Sequence, residues 1–254
     1  MLESWLFLLA CSLSGAFLSS LLGIGGAVFI IPIILLFQKY VGLNLGMHAI
    51  SSLTTMFVFF AGAVGFWAHG RHYKIEKKLV LITGSCASVG ALAGGIVQFY
   101  LPHMVMLVTF IALLFIIAGM MLWPVKGGHD EIPDYPLTTA IIGCVTAGFL
   151  AGMVGIGGGT ILVPFMIAVL KIPTRPAITT GLALVLLAGF FGLLGRLSNF
   201  SAVPWTLGIP LVAGILPGSL LGTYANRVTP TPILRKSFAV LMLVLATQQL
   251  LKII

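Results

Sequence analysis

Two glycine clusters carry the most suggestive chemistry in this chain. Gly23, Gly25 and Gly26 stand in Gly23-Ile24-Gly25-Gly26-Ala27, followed by Pro32. Gly155, Gly157, Gly158 and Gly159, with Thr160, stand in a second cluster followed by Pro164. Each cluster ends one apolar segment and begins the next, so each predicts a helix broken at lipid depth. A helix N-terminus there offers N–H groups and a partial positive charge to an anion. Without side chains, glycine lets a substrate approach the backbone. The competing reading is tight helix packing, which calls for small residues at every fourth position rather than in a cluster. The substrate-binding reading is therefore preferred. Ser51, Ser52, Thr54 and Thr55, with Thr179 and Thr180, supply hydroxyls to the same anion. Against that, Ser and Thr in membrane helices commonly bond back to their own helix, and the two readings stand level. Arg71 and Arg196 close apolar segments. Snorkelling toward head groups is favoured for them over a vestibule on each face that attracts anions.

Other chemistries find little support. The acids are Glu3, Glu76, Asp130, Glu131 and Asp134, all terminal or in connections. Cation and proton carriers usually keep a carboxylate within the membrane, so the pattern favours an anion. His48, His69, His72, His103 and His129 lie near segment ends and form no ligand cluster, so they read as interfacial side chains and no metal is expected. Cys11, Cys86 and Cys144 lie singly in apolar runs, as small buried side chains do. The absence of an acid–base or nucleophilic set at depth argues against an enzyme, and no cofactor is implied. No basic stretch is interleaved with aromatic residues as nucleic-acid binding requires. Leu8-Leu9-Ala10-Cys11 resembles a lipoprotein processing site. No Lys or Arg precedes it, so the stretch reads as a retained first helix.

The elements that hold these residues must be membrane helices. Of 254 residues, 59% are hydrophobic and 7% charged, with a mean hydropathy of +1.18. Soluble domains carry about 25% charged residues, so lipid must be the solvent for most of this surface. The net charge of +8 falls mainly in short connections, as in cytoplasmic loops facing lipid head groups. Apolar segments run over roughly 4–22, 24–38, 48–68, 79–99 and 104–123, then 137–154, 156–170, 177–195, 204–223 and 233–251. The glycine clusters recur at an offset of 132. Ala49-Ile50-Ser51-Ser52 answers Ala177-Ile178-Thr179-Thr180, and Gly70-Arg71 answers Gly195-Arg196. Gly84, Gly90 and Gly94 answer Gly208, Gly214 and Gly218. The chain thus reads as two tandem repeats, 1–124 and 137–254, joined by 125–136. The first two segments of each repeat are short: two short helices, or a re-entrant hairpin. Either choice gives an odd number of crossings per repeat and an inverted second copy. It also places ten basic residues inside and three outside, against seven and six for an even count. The positive-inside rule then sets both termini outside.

The doubled Gly-Ile-Gly-Gly break followed by proline, in a chain of this length, resembles the sulfite exporter TauE/SafE family over essentially the whole sequence. One departure is Ala27 where the second copy has Gly159. The resemblance implies a permease in the bacterial cytoplasmic membrane for sulfite, sulfonates or other organosulfur anions. A passive anion channel is the alternative, and a permease for another small solute or a metal ion follows behind.

Overall fold

The computed structural model describes residues 2–38, 40, 42–43, 45–70, 77–122, 136–197, 199 and 205–251. Among them all regular structure is helical. The order is α1 (Leu2–Leu22), α2 (Ala27–Phe37), α3 (Met47–Gly70), α4 (Lys77–Val97) and α5 (His103–Leu122), then α6 (Leu137–Val154), α7 (Gly158–Ala168), α8 (Thr174–Arg196), α9 (Trp205–Ala213), α10 (Ile215–Val228) and α11 (Thr231–Leu250). A 3-10 turn, Gln98–Tyr100, extends α4. Among the described residues six helices are long and apolar enough to cross a membrane, and the bent pair α9–α10 makes up to seven. Large apolar side chains such as Leu81, Val108 and Leu221 face outward, which only lipid tolerates on this scale.

The helices α2 and α7 have eleven residues each and reach about 17 Å, roughly half of a 30 Å hydrocarbon core. Their starts follow from backbone geometry. Gly23 and Gly155 adopt φ of 73° and 81°, and Gly25 and Gly157 adopt 86° and 82°. These are left-handed values that cost glycine little and other residues more. The N–H of Gly23 donates to Ser19 O at 2.7 Å and that of Gly155 to Ala151 O at 2.8 Å, closing α1 and α6 in the same way. The expected segment 204–223 is two helices rather than one. The chain bends by 40° between α9 and α10, around Gly214 and four residues past Pro210, where proline removes a helical N–H.

Packing places α4 against α6 and α8, α10 against α1 and α3, α3 against α8, and α5 against α11. The close approaches occur in exchanged pairs. A Cβ on Gly62 would lie 2.6 Å from Leu186 N, and one on Gly189 would lie 2.9 Å from Phe59 N. Gly25 packs on Val185 and Gly157 on Val58; Gly23 packs on Ile178 and Gly155 on Ser51. These contacts relate α1 to α6 by 132 residues, as the sequence predicts, but α3 to α8 by 127 throughout. Two unbroken helices admit no insertion, so their offset cannot drift from 128 to 125 as the motif matches imply. The pairing of Arg71 with Arg196 is therefore a misregister, and His69 is the residue answering Arg196. Likewise Gly90 and Gly218 approach Phe149 N and Phe17 N, while Gly94 and Gly222 approach Phe149 O and Phe17 O. The glycines of α4 thus answer those of α10 at 128, one turn from the expected 124. Of the expected connection 125–136, only Pro136 is described.

Candidate functional site

Arg196 ends α8 and is 0% exposed. That corrects both expectations for it, since it neither snorkels to head groups nor lines an open vestibule. Its Nη2 donates to Gly152 O at 2.6 Å, Ser51 Oγ at 2.7 Å and Gln98 Oε1 at 3.2 Å. Its Nη1 donates to Gly192 O at 3.0 Å. Nε is buried and has no partner among the described residues. Ser51 in turn donates to Gln98 Oε1 at 2.9 Å, and Gln98 is also fully buried. Four elements converge here: the end of α8, the start of α3, the turn after α4 and the end of α6. Glycine makes the room, because a Cβ on Gly95 or Gly192 would stand 3.4 or 3.5 Å from Nη1. All four acceptors are neutral. No acid lies inside an apolar segment apart from Glu3, which is exposed in the first turn of α1. A charged guanidinium held in this way has no described counterion, an arrangement that is costly for a buried group.

The expected hydroxyls divide. Ser52 donates to His48 O at 2.8 Å, Thr54 to Ile50 O at 2.9 Å and Thr55 to Ser51 O at 2.9 Å. These three bond back to their own helix. Ser51 reaches across to Arg196 and Gln98, Ser52 also accepts from Gln98 Nε2 at 3.5 Å, and Thr179 and Thr180 are buried on α8. Thr160 donates to Ile156 O at 2.9 Å within its own turn and also to Ile24 O in the other break.

The two glycine breaks therefore meet. A Cβ on Gly159 would stand 2.7 Å from Gly23 O, and one on Gly25 would stand 3.5 Å from Ile156 O. Gly155 lies against Ser51, which joins the second break to the arginine cluster. Among Gly23, Gly26, Gly155, Gly157, Gly158 and Gly159, no position leaves room for a side chain. In this state the breaks are closed against α3 and α8.

Arg71 lies outside the described residues. His69 is fully buried and its Nε2 lies 2.9 Å from Ser20 O, which corrects its expected interfacial placement.

A sequence profile described as Sulfite exporter TauE/SafE matches residues 7–248. The chain belongs to the sulfite exporter TauE/SafE family. It is 28% identical over 265 residues to a "Probable membrane transporter protein" of Haemophilus influenzae, covering 97% of this chain and 99% of that one. It is 23% identical over 265 residues to the "Probable membrane transporter protein YunE" of Bacillus subtilis, covering 96% and 97%. A third relative with the same description, from Methanocaldococcus jannaschii, is 26% identical and covers 83% and 82%. No solved structure matches. For this member of the TauE/SafE family, sequence reasoning missed Gln98 and Asn226. Both are amides at the ends of apolar runs, and that polarity was the available signal.

Proposed function

We propose that the chain is a permease for a small oxyanion, such as sulfite, a sulfonate or another organosulfur anion, in the bacterial cytoplasmic membrane. The observation that carries this reading is the buried Arg196, a positive charge enclosed at the end of a candidate membrane span, whose described partners are all neutral. A cation would be repelled there. An oxyanion would supply the missing countercharge, meet the unpartnered Nε and gain charge-assisted hydrogen bonds. Ser51 and Gln98 would complete the donor set. The glycine breaks would line the way onward once the closed contacts with α3 and α8 part, with their helix N-termini toward the anion.

The exchanged contacts support a two-fold relation between 1–124 and 137–254. With the positive-inside count they favour an inverted second half and termini outside the cytoplasm. The test is uptake of labelled sulfite, methanesulfonate, taurine and acetate into proteoliposomes of the purified chain. Saturable flux of a sulfur oxyanion, accelerated by the same anion on the far side, is expected. A passive channel would show no such acceleration, and uptake of acetate alone would remove the sulfur-oxyanion reading.

A further inference from the structure

The register of the helices joins two clusters that differ in chemistry. Arg196 donates to Gly152 O, and His69 Nε2 lies 2.9 Å from Ser20 O. Offsets of 127 between α3 and α8 and of 132 between α1 and α6 make these one contact seen in each half. The offset of 128 between α4 and α10 turns Gln98 into Asn226, which is 3% exposed and donates to Leu21 O at 2.7 Å. Gly152 becomes Ser20, whose hydroxyl is 0% exposed and has no partner among the described residues. A Cβ on Gly65 would stand 3.1 Å from that hydroxyl, which places it against α3 one turn before His69. Ser219, on α10, is a second fully buried hydroxyl without a described partner. The His69 cluster therefore has a basic ring, a buried amide and one unspent hydroxyl, that of Ser20. Ser51, beside Arg196, and His69 lie eighteen residues apart on one helix, about 27 Å.

We infer that His69, Asn226 and Ser20 form a second anion station at the opposite end of α3 from Arg196, able to hold an oxyanion only while the imidazole is protonated. The inference rests on the permease reading. Arginine is charged at every working pH, whereas histidine changes charge between about pH 5 and 8. One station is thus permanent and the other is switched. By linkage, a proton on His69 and an anion beside it each strengthen binding of the other by the same factor.

The surroundings leave His69 as the titrating group. Of the helices packed on α3, α2 and α9 carry no titratable residue. His103 of α5 accepts from Met47 N at the far end of α3, and α6 meets α3 at Ser51. On α1, Glu3 and Cys11 lie seventeen and nine residues from Ser20. Near the His69 end, Tyr224 and Arg227 of α10 and Lys171 before α8 are exposed, and Arg175 lies in the first turn of α8. Arg71, His72, Lys74 and Glu76 follow α3 outside the described residues. Of the residues that follow α3, His72 alone is a histidine, the type whose ordinary range is the same, so His72→Gln is the control.

The test uses oriented proteoliposomes of the full chain and labelled methanesulfonate, which unlike sulfite keeps one charge from about pH 5 to 8. Wild-type and His72→Gln flux should fall as pH rises on the His69 face, toward about tenfold per unit, and ignore pH on the other face. His69→Arg should lose the pH dependence of whatever flux it retains. Arg196→His should create a second dependence on the opposite face. An unchanged pH profile in a transporting His69→Arg overturns the inference while leaving the permease reading intact. If His69→Arg does not fold, the rise in melting temperature that methanesulfonate produces in Arg196→Gln decides. The inference requires that rise at pH 5 and not at pH 8; an equal rise at both, or none at either, overturns it. If the wild type carries none of sulfite, methanesulfonate and taurine, the permease reading fails and takes the second station with it.

Discussion

A guanidinium with four neutral acceptors and one idle N–H behaves differently from an arginine at a membrane surface. A surface arginine acts through water and is screened over a Debye length of about 8 Å at physiological ionic strength. Arg196, fully buried, is beyond that screening. Arg196→Gln is therefore expected to lower kcat/KM for the transported oxyanion by about thirty- to several-thousand-fold, the loss of roughly 2–5 kcal/mol for a buried charge pair. The deficit should be the same at low and high salt; a deficit that shrinks with salt would return Arg196 to a surface role. Ser51→Ala should give a smaller loss, about ten- to fifteenfold, since one hydrogen bond to a charged group contributes roughly 1.5 kcal/mol at the low end. Flux titrations of both variants check these values. The importance of Arg196 was not legible in the sequence. Gly195-Arg196 ends an apolar run and looks like the membrane edge, while the acceptors that bury it come from three distant segments. The Ser51 hydroxyl was legible as a donor. Its separation from the back-bonded Ser52, Thr54 and Thr55 depends on which face of α3 meets α4 and α6.

Among the helices, the seams are built from small residues. Gly90 and Gly94 of α4 approach the backbone of α6 at Phe149 and Met153, the close contact that membrane helices use in place of a hydrophobic driving force. Gly90→Val is expected to destabilise the folded chain by about 1–3 kcal/mol through overpacking, seen as a lower melting temperature in detergent. Gly119→Ala is the matched control, because a Cβ there meets nothing within 4 Å. The glycine breaks and the short α2 and α7 were readable because glycine and proline act locally. The bend between α9 and α10 was not read, although Pro210 and Gly214 mark it. Its counterpart α4 runs unbroken from Lys77 to Val97, beside an apolar groove of about 630 Å³ whose lining includes Leu81, Ser85, Ser88 and Phe191. The two halves thus share a register and differ in the shape of one helix.

For the whole molecule, the sequence motifs suggest a duplication, and the register between its proposed halves is read from the packing. Motif matching aligns similar letters and tolerates drift, whereas two continuous helices in contact do not. The proposed orientation carries its own test. A cysteine at Lys77, in a cysteine-free background, should resist an impermeant thiol reagent in intact cells and react after permeabilisation. Reaction in intact cells would reverse the topology. The placement of Arg196 and His69 has a further, electrical consequence. Their separation of about 27 Å along α3 spans most of a hydrocarbon layer about 30 Å thick. An anion passing from one to the other without a compensating ion would cross nearly the full membrane voltage, and the step would be worth about 2.3 kcal/mol per charge for each 100 mV. Turnover would then appear as a current on a supported membrane. In a cell whose interior is negative, the resting voltage alone would drive the anion outward.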